Sequence, residues 1–386
     1  MKIRTAIISN QLTRVGRVFG CVPFLFLWYN RKMNKQKVVS ILSKISELKK
    51  NTGLRIIDTH VHPLDVMGVV HYTDVKNEYA KADYLVPGVL EKFNYGKIAQ
   101  VGSKLFYKLL PKEINKIIKN NCMSIAEKRI LDEMDLSFVD SAVMLPVAPW
   151  LPTEIIGEKF LSDRLIALGS VDIHNIRTEE IDNYLTNIKE KYKIVGIKLH
   201  PNLQNFKPQP SQNSPELGEK LHHIYKFAEK EHLYLLFHGG VSLYTDFTDP
   251  KYKGNIPRSR MNAMLRNFCD INGKSELFEN YNIPIVIAHL GHFGIINPDY
   301  KLMKIIAKKF NNIYFDTAGV SPSFIRNTLQ FIPSQKIVFG SDALYNRIAY
   351  NLAFIYLALE SVRNGEQKEN IISNILYKNF LSITSI

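Results

Sequence analysis

The chain is poor in cysteine and has no apolar run long enough to cross a bilayer. Its three cysteines (Cys21, Cys122, Cys269) are odd in number and widely spaced among 386 residues. They give neither a disulfide framework nor a CxxC metal clip. Their scarcity fits a reducing compartment, and the expectation is a cytoplasmic protein. The stretch "VFGCVPFLFLWY" (18–29) falls short of the roughly 20 residues that span a membrane. Pro23 interrupts it and no small-x-small site follows, which argues against a cleaved signal. Internal repeats and low-complexity tracts are also absent.

What is present begins with 46% hydrophobic residues, enough for one barrel-sized core or two smaller ones. The net charge of +14 is unevenly placed: residues 1–50 carry eleven Lys or Arg against the single acid Glu47. The basicity therefore belongs to an N-terminal extension (1–50), and the body (51–386) is nearly balanced. A nucleic-acid partner does not follow from such a distribution. For the extension three readings stay open. It packs on the domain as a helix or tail, it precedes a true start at Met33, or it makes peripheral contact with anionic lipid.

From residue 54 on, short apolar runs alternate with longer amphipathic stretches. The runs are "LRIIDTHVH" (54–62), "SAVMLPVAP" (141–149), "LIALGSVDI" (165–173), "IVGIKLHPN" (194–202), "LYLLFHGG" (233–240), "IPIVIAHLGH" (283–292), "NIYFDTAGV" (312–320) and "KIVFGSDA" (336–343). Each reads as a strand covered on both faces. Segments such as "SPELGEKLHHIYKFAEKEH" (214–232) read as helices between them. Eight strand–helix units predict an α/β fold, a closed (β/α)8 barrel, with a helical insertion at 63–140. A second long connection covers 241–282. Insertions at this end of the strands are raw material for lids and pockets.

His60 and His62 stand one residue apart at the end of the first strand, so alternation aims both at one face. In a barrel that face is the interior and the strand end is the rim where sites form. Paired neutral imidazoles chelate zinc and similar ions. The HxH pair alone is weak evidence, because exposed or hydrogen-bonded histidines reach this spacing by chance. However, His238, His289 and Asp342 likewise close apolar runs, and burying such groups unpaired costs several kcal/mol. Four strands ending this way are hard to explain without a shared metal.

With these motifs in view, the chain resembles the amidohydrolase superfamily. The branch it is most similar to is the amidohydrolase-related one that includes aminocarboxymuconate-semialdehyde decarboxylase. "DTHVHP", "GIKLHPN", "LLFHGG", "IAHLGH" and "FGSDA" occur in the family's order over residues 54–343, and "ILYKNFLSI" (375–383) resembles its closing helix. The resemblance implies a TIM barrel with His60, His62 and His238 as metal ligands. Asp342 would be a further ligand that also handles a proton. His289 would either orient and deprotonate a metal-activated water or ligate a second metal. Asp58 would hold the second nitrogen of a ligand, or be a buried acid satisfied by backbone donors. Lys198 and His200 share a face on strand four. A single divalent ion, Zn2+ by expectation, leaves them to contact substrate, whereas a second ion would need a carboxylated Lys198 as bridge; a salt bridge beneath the site is the plainer role for Lys198. His292 falls on the loop after His289, where a surface histidine and a substrate contact both stay open.

The loop after strand five carries Lys251, Lys253, Arg258 and Arg260, which suit a carboxylate-bearing small molecule or simply a solvated loop. The resemblance implies a metal-dependent hydrolase of an amide, ester or lactone. A non-oxidative decarboxylase of an aromatic or unsaturated acid is the alternative, and a barrel retained only for binding is a third. A homo-oligomer is left open.

Overall fold

The protein is described from a computed structural model, over residues 34–78, 83–85, 111–242, 258–295, 297–360 and 368–384. Within them all eight expected strands form: β1 (Ile57–Val61), β2 (Ser141–Met144), β3 (Leu165–Ala167), β4 (Gly196–Leu199), β5 (Tyr234–Phe237), β6 (Ile285–Ile287), β7 (Ile313–Asp316) and β8 (Ile337–Val338). They pair in parallel as β1-β2-β3 and β4-β5-β6-β7-β8.

Both seams between these sheets are stitched by backbone hydrogen bonds. Gly169 N–H donates to Gly196 O at 2.8 Å and Lys198 N–H to Gly169 O at 2.8 Å, joining β3 to β4. On the other side Thr59 N–H reaches Phe339 O at 2.8 Å, and a bridge pairs Val61 with Ala343. The strands thus run round a ring, the expected (β/α)8 TIM barrel, which leaves no free edge.

Alternation divides the barrel core into two layers. Val143, Leu236, Val286 and Val338 point inward, and Phe380 and Ile383 of the C-terminal helix close the bottom of the ring. Their neighbours Ala142, Leu235, Ile285 and Ile337 point outward against the helices. Each Val, Leu, Ile or Phe among them contributes about 1.5–3 kcal/mol on burial. Strand β1 breaks this rule. Its register to β2 slips by one residue between Asp58 and Val61, so Ile57 faces the inner core and Val61 the outer one. A bulge of this kind re-aims the side chains that follow it.

The helix Lys35–Thr52, capped by Asn34 and by Gly53 at φ 66°, buries Val38, Ile41, Leu42 and Ile45 in the main core. This part of the basic extension therefore packs on the barrel, while residues 1–33, Lys251 and Lys253 lie outside the described residues, as does much of the insertion at 63–140. Helices Pro111–Cys122 and Glu127–Leu136 are the described helical part of that insertion. Among the described residues no helix is long and apolar enough to cross a membrane.

Candidate metal centre

The bulge in β1 delivers His60 and His62 to the mouth of the barrel. His60 Nδ1 lies 2.7 Å from Asp316 Oδ2 at the end of β7. Burial and the nearby Lys198 hold the His60 imidazole well below its usual pKa, so the ring is neutral. A carboxylate accepts, so the proton sits on Nδ1 and the Nε2 lone pair is bare. His62 Nδ1 faces Leu145 O at 3.4 Å, which fixes the same tautomer there. The two Nε2 atoms stand 3.2 Å apart. Two lone pairs facing each other across that distance repel unless a cation lies between them.

Asp342 completes the set, its Oδ1 3.7 Å from His60 Nε2 and 3.6 Å from His62 Nε2. Tetrahedral zinc with bonds of 2.0–2.1 Å spaces its ligands about 3.3 Å apart, so the donors fit such an ion in both chemistry and spacing. His60, His62 and Asp342 are the metal-capable trio among the described residues. Asp342 is held in place by strain and stitching. It sits at φ 62° and Leu344 at φ 74°, left-handed conformations that side-chain-bearing residues seldom adopt.

His238, directly after β5, does not join that trio, but its Nε2 is buried without a hydrogen-bond partner among the described residues. Its ring lies against His289, centroids 4.8 Å apart, and stacks on His200 at 4.1 Å. His200 Nδ1 accepts from Leu203 N–H at 3.3 Å, so its Nε2 carries the proton as a donor. His289 is the reverse: Nδ1 donates to Ala318 O at 2.7 Å, leaving Nε2 an acceptor. Burial lowers His289 to a pKa of about 3, with the nearby His60 adding to the effect. It too adopts a left-handed backbone, at φ 57°. Lys198 projects inward with Nζ buried and no hydrogen-bond partner among the described residues. Burial pulls its pKa down to about 8, against the opposing pull of Asp316 and Asp342.

The structure decides between the two readings of Asp58 and corrects both readings of His292. Asp58 does not hold a ligand nitrogen but is the buried acid met by backbone donors. The bulge turns it off the face of His60, and its Oδ1 accepts from the backbone N–H groups of His60 and Ser341 at 3.1 and 3.0 Å. Asp316 orients His60 instead. The sequence carried its signal, an acid closing the apolar run "NIYFD" as Asp342 closes its own run. His292 is buried, not on the surface. Its Nδ1 donates to Leu290 O at 2.7 Å and its Nε2 accepts from Asp299 N–H at 2.8 Å, so neither nitrogen is left for substrate.

Arg258 is the described cation of the β5 loop that turns inward. Its guanidinium lies 4.5 Å from the Trp150 ring and donates to Met67 O at 3.2 Å, tying together the loops after β1, β2 and β5. Arg260, by contrast, is exposed.

A barrel with a His-His-Asp cluster at the carboxyl ends of its strands defines a metal-dependent α/β enzyme fold. The sequence model described as Amidohydrolase matches residues 164–379, more than half of the chain, and the protein belongs to that family. No curated protein sequence matches it. Among solved structures the chain resembles 5-carboxyvanillate decarboxylase from Sphingomonas paucimobilis (TM-score 0.52, 15% identity, 86% of this chain and 99% of that one). It also resembles 2,6-dihydroxybenzoate decarboxylase from Rhizobium (0.50, 12% identity, 86% and 98%). A third is 5-carboxyvanillate decarboxylase from Novosphingobium aromaticivorans, solved with manganese and 4-hydroxy-3-methoxy-5-nitrobenzoic acid (0.50, 14% identity, 86% and 97%). At these identities the likeness is one of fold.

Proposed function

We propose that the protein is a metal-dependent hydrolase that opens an amide, ester or lactone bond of a small, carboxylate-bearing substrate. The observation that carries the metal is the pair of bare Nε2 atoms of His60 and His62, 3.2 Å apart with Asp342 beside them. His60, His62, Asp342 and the orphaned His238 nitrogen would hold one divalent ion. A set rich in imidazole suits zinc, and manganese remains compatible with its carboxylate. When bound, such an ion supplies Lewis acidity and lowers the pKa of water toward neutrality.

The remaining work falls to the chain itself. His289 Nε2, a buried acceptor on a ring kept neutral by its low pKa, would orient the attacking water. Asp342 would take the proton of that water and pass it to the leaving group. The Nε2–H of His200 and the ammonium of Lys198 face the substrate and bind its carboxylate or polarised carbonyl. The buried walls exclude bulk water, which strengthens each of these contacts.

Non-oxidative decarboxylation of an aromatic acid is the second reading. It is favoured by the fold's likeness to barrels whose names describe decarboxylases of 5-carboxyvanillate and 2,6-dihydroxybenzoate. In that case the same groups would bind the acid, and a proton would replace the lost carboxylate with no water consumed.

Metal analysis of the purified protein comes first. A panel of lactones, amides and aromatic acids follows, run with zinc and with manganese, and release of carbon dioxide separates the two reactions. His289→Asn and Asp342→Asn should each lower kcat about 10²–10⁴-fold. Full activity in either variant would remove that residue from the mechanism.

A further inference from the structure

We infer that Asn346 is a positioning residue that sets which oxygen of Asp342 faces the metal, an inference that rests on the metal reading above. The turn from Asp342 to Asn346 is closed by Asn346 N–H donating to Asp342 O at 2.9 Å. It is sewn between the two histidines of β1, for Asp342 N–H donates to His60 O at 2.9 Å and Ala343 O accepts from His62 N–H at 3.0 Å. These bonds fix the backbone of Asp342 but leave its side-chain torsions free. Asn346 removes that freedom: its Nδ2 donates to Asp342 Oδ2 at 3.2 Å. Oδ1 is then the oxygen turned toward both imidazoles, at 3.7 and 3.6 Å.

The other end of the same amide supports a dedicated role. Asn346 is buried, and its Oδ1 has no hydrogen-bond partner among the described residues. An unsatisfied buried acceptor costs about 1–3 kcal/mol, so the side chain is not there for its own stability. The amide cannot flip to relieve it, because Oδ1 would then face a carboxylate oxygen. Asn346 is fixed by Asp342 and in turn fixes it. A leucine of similar volume would fill the same space without this bond.

The test compares wild type, Asn346→Ala and Asn346→Leu by calorimetric titration of the metal-free chain with Zn2+ and Mn2+. Each variant should raise the Kd about 10–100-fold, as loss of a partner to a metal ligand does. In Asn346→Leu the lost bond to Asp342 and the removed orphan acceptor offset each other. The melting temperature of the metal-free chain should then stay close to that of wild type, whereas the cavity in Asn346→Ala should lower it. The d–d absorption of the Co2+-loaded variants should shift from that of wild type, since the carboxylate is free to rotate; a purely structural role would leave those bands alone. Wild-type affinity in Asn346→Leu would make Asn346 a packing residue and overturn the inference, as would wild-type affinity in Asn346→Ala. Loss of the fold in both variants would overturn it too. A wild-type chain that takes up no metal would sink the functional reading together with this one, an outcome distinct from a variant that binds as wild type does.

Discussion

Asp316 and His60 meet between opposite ends of the sequence, carboxylate oxygen to ring nitrogen at 2.7 Å, and both side chains are sealed from solvent. The other oxygen of Asp316 accepts from the backbone N–H groups of His289 and Ala318 at 2.7 and 3.0 Å. One carboxylate therefore fixes the tautomer of His60 and the strained turn that presents His289. Replacing Asp316 by Asn should reverse that tautomer. The amide oxygen must still serve the two N–H groups, so the NH2 end faces His60 Nδ1 and drives the ring proton to Nε2. Metal affinity should fall about 10–100-fold, measured by titration of the metal-free chain. Unaltered binding would show that Asp316 does not govern the His60 ring.

Gly340 offers a steric test of the same histidine. A Cβ built there would lie 2.7 Å from His60 Cβ and 3.3 Å from Ala318 Cβ. Neither neighbour is the end of a flexible chain, so Gly340→Ala must shift a strand. It should cost about 1–3 kcal/mol of stability, as overpacking does. It should also weaken metal uptake, because the displaced residue is His60. Thermal melts with and without metal would read both effects.

The eight strands were legible because each is a short apolar run, and residues such as His238 and Asp342 stood out by ending one. Asp316 ends its run in the same way and was open to the same rule. The bulge in β1 was not legible. Its cause is a register slip against β2, a pairing between distant segments, and strict alternation wrongly put Asp58 on the face of His60. His292 was misplaced for a related reason. The turn after β6 bends through two left-handed residues, His289 and Leu290, and folds the loop back into the protein.

The facing Nε2 atoms make a thermodynamic prediction. With no cation between them, two lone pairs at 3.2 Å cost the folded chain energy that a bound ion would convert into attraction. A ligand that binds only the folded state at 100 times its Kd adds about 2.7 kcal/mol. Saturating zinc or manganese should therefore raise the melting temperature, and a chelator should return it to the metal-free value. His62→Ala should abolish most of that shift. A metal-induced rise preserved in His62→Ala would place the ion elsewhere.

Lys198 links the site to pH. Burial lowers its pKa from 10.5 to about 8, so in the folded chain the ammonium is lost as pH rises through about 8. A carboxylate-bearing substrate bound by that ammonium should then show kcat/KM falling on the alkaline side, and a divalent cation nearby would push the limb lower still. For stability the sign is opposite. Between about 8 and 10.5 the unfolded chain holds a proton on this lysine that the folded chain does not, so its contribution to stability rises with pH across that window. Lys198→Met should remove the alkaline limb and raise KM for the anionic substrate more than it lowers kcat. It should also be tolerated by the fold, because the methionine fills similar space without an ammonium to desolvate. An alkaline limb unchanged in Lys198→Met would assign that titration to another group.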